Sequence, residues 1–174
     1  NPTWSFYYRN LVRALRGQFR CIVPDHLGCG LSDKPGDEQY DYRLASRLED
    51  VDNLVRHLEI TEPLTLVVHD WGGMIGFAWA VENPDLIDRT VVLNTAAFPL
   101  PDDKKMPPAL SLVRDTALGA FLVTRFKAFS GIAARVAFKK PVSNEVRAAY
   151  TLPYDSPKNR FATLRFVQDI PLKE

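Results

Sequence analysis

The chain carries one acidic residue directly after an apolar run that is typical of a buried strand. Residues 64–69 are mostly apolar and β-branched, and Asp70 follows them at once. Gly72 and Gly73 come next, and then an apolar segment suited to a buried helix. A carboxylate at the end of such a strand is unfavourable unless it is paired or used in chemistry. The pattern predicts a nucleophile elbow, a strained turn that exposes one side chain at the carboxyl edge of a parallel sheet.

The glycines of this stretch also have predicted packing roles. Gly72 and Gly73 would let the strand and the helix approach closely, and Gly76 would keep the helix near the sheet. The alternative for Asp70 is a plain helix N-cap, whose carboxylate accepts hydrogen bonds from the first turn of the helix. The two interpretations differ in what the carboxylate contacts.

An aspartate nucleophile narrows the chemistry. A carboxylate can attack carbon to form an ester and later leave, which splits one difficult displacement into two easier steps. Serine here would indicate an esterase, whereas Asp70 favours alkyl halides, epoxides or strained lactones as substrates. Val68 stands two residues earlier, where serine hydrolases with this turn prefer glycine. The backbone N–H of Trp71 would form part of an oxyanion hole, although the indole could equally be a buried aromatic.

A hydrolytic triad also needs a histidine base, and the chain has three histidines. His57 falls on the polar side of a predicted helix and is expected at the surface. His69 precedes the nucleophile on its strand, and alternation points it away from Asp70. His26 lies in the loop after the preceding predicted strand and could approach the site, but the usual order of triad residues disfavours it.

The elements around Asp70 alternate between helix and strand, which predicts a parallel α/β sheet. Apolar residues three and four apart indicate the helices, and short apolar runs indicate the strands. In chain order the predicted elements are a helix at 3–16, a strand at 19–24, a helix at 43–58, a strand at 64–69, a helix at 73–82 and a strand at 90–93.

The second half of the chain has a different character. A proline-rich passage begins near Phe98, and from there the pattern indicates helices and no further strand. We therefore predict a core over 1–96 and a helical cap over 97–174. The predicted cap helices lie at 109–118, 119–129, 131–139, 143–150 and 157–168.

The loop at 25–35 is rich in glycine, which raises the possibility of a phosphate-binding loop. It lacks the third glycine of a dinucleotide fingerprint and ends in no Gly-Lys-Ser/Thr sequence. We predict a backbone turn at the edge of the sheet, and no cofactor.

Bulk composition excludes several classes of protein. The 22 basic and 21 acidic residues balance, so nothing indicates nucleic-acid binding. Cys21 and Cys29 form no disulfide or metal pattern, which favours a reducing compartment such as the cytoplasm. No apolar run approaches the ~18 residues of a membrane span. The chain begins at Asn1 and ends at Glu174 on no obvious boundary, as expected of a piece of a longer protein.

Three motifs in register resemble the haloalkane dehalogenase branch of the α/β-hydrolases: NPTWSF at 1–6, VPDHLGCGLSDKP at 23–35 and VVHDWGG at 67–73. Further segments are similar to the β-lactone decarboxylases of bacterial long-chain olefin biosynthesis, which convert a cis-β-lactone to an alkene and carbon dioxide. Those segments are LNTAAF at 93–98, AYTLPYDS at 149–156 and RFVQDIPL at 165–172.

The resemblance implies an α/β-hydrolase fold, incomplete in this chain, with the cap inserted after the strand that ends at Asn94. It implies that Trp71 and Asn1 hold the developing negative charge, or a halide in the dehalogenases. One group of dehalogenases carries its catalytic glutamate where this chain has Asn94. The catalytic acid and the histidine base are therefore expected beyond residue 174.

The resemblance leaves three functions open besides lactone decarboxylation: haloalkane dehalogenation, epoxide hydrolysis with Tyr150 and Tyr154 polarising the ring oxygen, and an inactive fragment or binding module. A small hydrophobic substrate is expected in each enzyme, and association with other enzymes of the pathway stays open. Aromatic side chains of the cap are candidates to line an apolar pocket, with packing as the alternative for each. They are Phe121, Phe126, Phe129, Phe138, Tyr150, Phe161 and Phe166.

Overall fold

Two parallel strands and eight α-helices form the part of the chain that the structure describes. The computed structural model describes residues 1–101, 105–126 and 128–172. The strands are β1 Leu64–His69 and β2 Ile87–Leu93. The helices are α1 Arg9–Leu15, α2 Leu44–His57, α3 Trp71–Glu82, α4 Pro108–Asp115, α5 Ala117–Phe126, α6 Ala128–Val136, α7 Asn144–Thr151 and α8 Pro157–Gln168.

These elements form two compact units. The helical unit consists of Asn1–Gln39 and Pro107–Gln168, and the sheet unit consists of Tyr40–Met106 and Asp169–Glu174. Their boundaries differ from the predicted division into a core at 1–96 and a cap at 97–174. That division of the fold stays a prediction.

The sheet unit is built on one parallel pair of strands joined through a helix. In this pair Val68 lies opposite Val92, and His69 lies opposite Leu93. The β-branched apolar residues of both strands suit this pairing. The prediction of these strands is confirmed, although β2 begins at Ile87 rather than at Thr90. The carboxyl ends of both strands consequently meet at one edge of the sheet.

Helix α3 packs against both β1 and α2. It is apolar on all sides, with Ile75 and Trp79 each 2% exposed. The indole N–H of Trp79 donates to the Asp52 carboxylate on α2 at 3.3 Å. The helices predicted at 43–58 and 73–82 are thereby confirmed, and α3 begins two residues earlier than predicted, directly after Asp70.

The helical unit is organised around α8, which packs against α4 and α5. Ala162, Leu164, Phe166 and Val167 of α8 are buried. The five helices predicted in the second half of the chain are all present in the described residues, within a few positions of their predicted ends. The first predicted helix is also confirmed, as a 3-10 turn at Ser5–Tyr8 followed by α1.

A buried arginine fastens α8 to the end of α5. Arg160 is 4% exposed, and its guanidinium donates to the carbonyls of Thr124, Arg125 and Tyr154 at 2.7, 3.2 and 2.9 Å. The last carbonyls of a helix have no acceptor role within the helix. One guanidinium therefore supplies the C-terminal capping that α5 needs.

The strand predicted at 19–24 is wrong. These residues are described, and they adopt no strand. An extended segment becomes a strand only when a neighbouring strand takes up its N–H and carbonyl groups. The two strands in the described residues pair with each other, so no described strand pairs with residues 19–24.

In the described residues, no single helix is both long and apolar enough to cross a membrane. The bent pair Ala117–Phe126 and Phe129–Val136 reaches the necessary length and apolarity only when its two helices are counted together.

Candidate active site

Asp70 occupies a strained turn between β1 and α3. Its backbone has φ 51° and ψ −129°, a region that residues with a side chain rarely adopt and that raises the energy by about 1–3 kcal/mol. Such strain accumulates at functional sites, because the surrounding structure must hold it in place. A strained residue at the strand-to-helix turn is the geometry of a nucleophile elbow.

The N-cap alternative for Asp70 is wrong. Asp70 stands at the N-cap position of α3, but its side chain makes no capping hydrogen bond to the helix. A carboxylate whose role was capping would accept from the N–H groups of the first turn. The position therefore lacks the contact on which that interpretation depends.

Main-chain contacts hold the strained turn in place. The carbonyl of Asp70 accepts a short hydrogen bond from the Thr95 hydroxyl and a second from the N–H of Gly73 at 3.0 Å. Thr95 lies in the segment that follows β2, so the turn after one strand is fastened to the turn after the other. Thr95 is not among the site residues predicted from the sequence. The signal that could have indicated Thr95 is its position, because it carries a hydroxyl two residues after the end of the strand next to β1.

The contact predicted for Gly76 with the strand is present, whereas Gly73 is close to the segment after β2 instead. A side chain at Gly73 would lie 1.9 Å from the Thr95 hydroxyl, and one at Gly76 would lie 2.6 Å from Val68. The role predicted for Gly72 is wrong, because nothing lies within 4 Å of the position that its Cβ would take.

Trp71 is the first residue of α3 and is half-buried. The first N–H groups of a helix have no acceptor within the helix and point along its axis toward the N-terminal end. This arrangement suits the predicted oxyanion role of the Trp71 backbone N–H. Asp70 and Trp71 are therefore brought together at one helix terminus.

Asn1 belongs to the helical unit, whereas Asp70 and Trp71 belong to the sheet unit. The side-chain amide of Asn1 donates to the carbonyl of Thr163 on α8 at 3.0 Å. An asparagine amide carries two N–H groups. One of them makes this contact, which fixes the orientation of the amide.

Burial lowers the pKa of His69, and the charge of the adjacent Asp70 opposes that shift. The imidazole is therefore neutral over a wider pH range than an exposed histidine. His57 is exposed at the end of α2, as predicted. His26 lies in the helical unit, and its ring stands 6.2 Å from the ring of Phe166.

Asn94, at the end of β2, also has a positive φ, of 38°. Asparagine tolerates this region better than most residues. The carboxyl ends of both strands thus carry a residue with a side chain in a rarely used backbone conformation. Ligands of open α/β sheets bind at this edge.

The two tyrosines considered for epoxide chemistry make hydrogen bonds inside the helical unit. The Tyr150 hydroxyl accepts from Arg9 at 2.9 Å, and the Tyr154 hydroxyl donates to the carbonyl of Thr3 at 2.9 Å. Burial raises the pKa of Tyr154 above its usual value. Both hydroxyls contribute to fastening the N-terminal segment to α7 and the turn that follows it.

Three of the aromatic residues predicted to line a pocket lie in cavity walls of the helical unit, and two others pack inside that unit. Phe121 and Phe161 line an apolar groove of about 610 Å³ in the helical unit. Phe126 lines a second cavity of about 410 Å³. Phe138 instead packs on the ring of Tyr150, and Phe166 is buried in α8.

The glycine-rich loop is a turn built around Asp25. The two carboxylate oxygens of Asp25 accept from the N–H of Ser5 at 2.6 Å and of Leu31 at 2.9 Å. A side chain at Gly30 would lie 2.2 Å from this carboxyl group. The N–H of Gly28 donates to the carbonyl of Asp33. These N–H groups are used within the loop, in line with its interpretation as a backbone turn.

Within the described residues, no cluster of histidine, cysteine and acidic side chains could hold a metal ion. Neither Cys21 nor Cys29 forms a disulfide bond in the described part of the chain.

A strained aspartate at a strand-to-helix turn on a parallel sheet defines a class of protein. The chain belongs to the α/β-hydrolase fold family, whose family model matches residues 1–164. Within that class it is 58% identical over 174 residues to the cis-3-alkyl-4-alkyloxetan-2-one decarboxylase of Shewanella oneidensis. That alignment covers 99% of this chain and 55% of the relative.

The chain is also similar to haloalkane dehalogenases. It is 41% identical over 99 residues to haloalkane dehalogenase 2 of Mycobacterium tuberculosis, covering 57% of this chain and 34% of that protein. The solved structure of the haloalkane dehalogenase DatA of Agrobacterium tumefaciens superposes with a TM-score of 0.87 at 26% identity, over 99% of this chain and 59% of that one. The chain thus spans little more than half the length of the Shewanella relative.

Proposed function

We propose that the protein containing this chain decarboxylates cis-3-alkyl-4-alkyloxetan-2-ones, with Asp70 as nucleophile. The observation that carries this proposal is the 58% identity to the Shewanella decarboxylase along 99% of the chain. The strained backbone of Asp70, with φ 51°, supports its role independently. The substrate is a small, hydrophobic β-lactone.

The reaction can be written with Asp70 as both attacking and leaving group. The carboxylate attacks ring carbon 4, the bond from that carbon to the ring oxygen breaks, and a carboxylate is released on carbon 3. The bond between carbon 3 and this carboxylate then breaks. Its electron pair forms the alkene and expels Asp70, so carbon dioxide and an alkene leave and no water is consumed.

Negative charge moves onto the released carboxylate during ring opening. The backbone N–H of Trp71, at the start of α3, and the side-chain amide of Asn1 are the donors that we assign to it. Donors oriented before the reaction stabilise such charge without having to reorganise. The resemblance to the dehalogenases supports the assignment of Asn1, whose amide also donates to the carbonyl of Thr163.

We propose that the histidine base and the acid that orients it lie beyond residue 174, after strands that follow the cap, as the resemblance implies. The predicted division into a core at 1–96 and a cap at 97–174 is part of the same proposal. We propose a cytoplasmic location, which is supported by two cysteines that form no disulfide in the described residues. The cap would shape the hydrophobic binding site, and other enzymes of the pathway are candidate partners.

The test is incubation of the full-length protein with a cis-3,4-dialkyloxetan-2-one that carries long alkyl chains. Alkene formation, followed by gas chromatography and mass spectrometry, is expected for the wild-type protein and not for Asp70→Ala. Alkene production that is undiminished in Asp70→Ala would overturn the role of Asp70. The absence of alkene from folded wild-type protein would overturn the substrate assignment.

The haloalkane dehalogenase function has support in the 41% identity over 99 residues to the mycobacterial enzyme. The two reactions differ in how the ester on Asp70 is resolved. Hydrolysis uses water, and repeated turnover in ¹⁸O-labelled water would place the label in the Asp70 carboxylate. Decarboxylation as written above leaves Asp70 unlabelled. Mass spectrometry of the Asp70 peptide, together with halide release from bromoalkanes, therefore distinguishes the two functions.

A further inference from the structure

The cavity of about 410 Å³ in the helical unit combines two arginines with an apolar wall. It lies among α6, α7 and the end of α5. Its apolar wall includes Phe126, Ile132 and Ala148, and its polar wall includes Arg135, Arg147 and Asn144. A volume of this size is within the range of small-molecule sites, about 300–1,000 Å³.

Arg147 is held in the cavity wall with part of its hydrogen-bonding capacity unused. Its Nε is buried and has no hydrogen-bond acceptor among the described residues. One terminal nitrogen reaches the carbonyl of Val142 at 3.5 Å, which is the limit for such a bond. Most buried donors in proteins have a partner, so an unsatisfied one of this kind requires an explanation.

Among the described side chains, none forms an ion pair with the positive charge at the cavity. Within residues 1–101, 105–126 and 128–172, no carboxylate forms an ion pair with Arg135 or Arg147. Glu145, the acidic residue in the first turn of α7, is exposed and bonds to Ser143 instead. Two guanidinium groups at one cavity favour an anion, and their planar fork matches a carboxylate.

The apolar side of the cavity continues onto exposed surface. Phe126 is 65% exposed, Ile132 is 57% exposed and Val136, one turn further along α6, is 73% exposed. Large apolar side chains exposed together often mark a binding surface. Beside two arginines, they favour a ligand with an anionic head and an alkyl chain.

We propose that this cavity binds a long-chain carboxylate, with the carboxylate between Arg135 and Arg147 and the chain along Phe126 and Ile132. This site lies in the helical unit and is assigned no part in the reaction at Asp70. The inference does not depend on the proposed decarboxylation.

The test is binding of decanoate to the full-length protein by isothermal titration calorimetry. Saturable binding is expected for decanoate, with much weaker binding for acetate, which lacks the chain, and for decanol, which lacks the charge. Arg135→Gln and Arg147→Gln should each weaken decanoate binding by about tenfold or more, because each removes a charged hydrogen bond. Phe126→Ser should weaken it as well.

Arg16→Gln is the matched control, since Arg16 is exposed at the end of α1, and it should bind decanoate as the wild type does. Arg147→Lys keeps the charge and the packing of the stem but loses the planar fork of arginine. This variant should therefore bind decanoate more weakly than the wild type, even if Arg147→Gln fails to fold. Asp70→Ala should retain decanoate binding, which separates this site from the reaction.

Vesicles identify the source of the anion. Binding to phosphatidylglycerol but not to phosphatidylcholine vesicles, lost in Arg135→Gln and without decanoate binding, would assign the arginines to a phosphate headgroup and would overturn the carboxylate assignment. Decanoate binding that is equal in the wild type and both glutamine variants would overturn the proposal. The absence of binding in both arms would overturn it too.

Discussion

Asp25 and Asp70 have similar surroundings in the sequence but differ in their hydrogen bonds in the structure. Each follows a short apolar run and precedes a glycine-rich stretch. Both carboxylate oxygens of Asp25 accept main-chain hydrogen bonds, from Ser5 and Leu31. At Asp70 it is the main-chain carbonyl that is held, by Thr95 and Gly73, while the side chain makes no capping bond to α3.

The difference indicates how a fold assigns an aspartate to structure or to chemistry. A carboxylate that accepts backbone N–H groups stabilises a turn and is occupied by that task. At Asp70 it is the backbone that other groups hold in a strained conformation, and such strain is typical of functional sites. Asp25 is the structural residue of this pair, and Asp70 is the candidate nucleophile.

The largest expected effect separates the two aspartates by activity. Asp70→Gly should lower the rate of the proposed decarboxylation by about 10⁴-fold or more, as expected for removal of the proposed nucleophile. The same change should stabilise the fold by about 1 kcal/mol, because glycine adopts a positive φ without strain. Alkene formation and thermal unfolding of the full-length protein measure the two effects. Loss of activity together with a large loss of stability would indicate a structural Asp70 and remove the contrast.

The second prediction tests what holds Asp70 in its turn. Gly73→Ala should destabilise the protein by about 3 kcal/mol, because its new methyl group would lie 1.9 Å from the Thr95 hydroxyl. Gly72→Ala is the matched control and should be neutral or stabilising by up to about 1 kcal/mol, since alanine favours the helix. Chemical denaturation measures both. Equal effects of the two substitutions would mean that Thr95 does not constrain the turn.

The third prediction concerns Asp25. Asp25→Ala should destabilise the protein by about 2 kcal/mol, because two main-chain N–H groups lose their acceptor. Asp33→Ala, in the same loop and exposed, should change the free energy of unfolding by less than about 0.5 kcal/mol. Denaturant titration of each variant provides the comparison. A destabilisation by Asp33→Ala as large as that by Asp25→Ala would show that the loop has no special acceptor.

The smallest expected effect is a pH dependence of the free energy of unfolding, caused by His69, the residue before Asp70. Burial lowers the pKa of His69 in the folded protein, so the unfolded chain binds more protons there as the pH falls. The stability that neutral His69 contributes is present above its usual pKa of 6.5 and is lost as the pH falls through that value toward the lower native pKa. His69→Gln should flatten this part of the stability profile.

The control for that measurement is His57→Gln, because His57 is exposed at the end of α2. Free energies of unfolding between about pH 7.5 and pH 5.5 are compared for the wild type and both variants. A profile that is flattened by His57→Gln and not by His69→Gln would contradict the buried state of His69.

Much of the fold could be predicted from the sequence because its elements have strong local patterns. The apolar stripes of α2 and α8 repeat at helical spacing, and the β-branched run before Asp70 indicates a strand. The cap helices were found for the same reason. The segment at 19–24 has an equally apolar pattern, but it forms no strand because pairing depends on a neighbour that its own residues do not specify.

Some features of the candidate site could likewise be predicted from local sequence, and others could not. The sequence by itself determined that a carboxylate follows a buried strand and precedes a helix, since residue type and period are local properties. Only the tertiary structure decided that Asp70 is strained, that Thr95 holds it and that Gly72 is not needed for close packing. It also decided that Asp25 is the structural aspartate. These facts depend on contacts between residues 20 or more positions apart, such as Thr95 with Asp70 and Ser5 with Asp25, which no local pattern specifies.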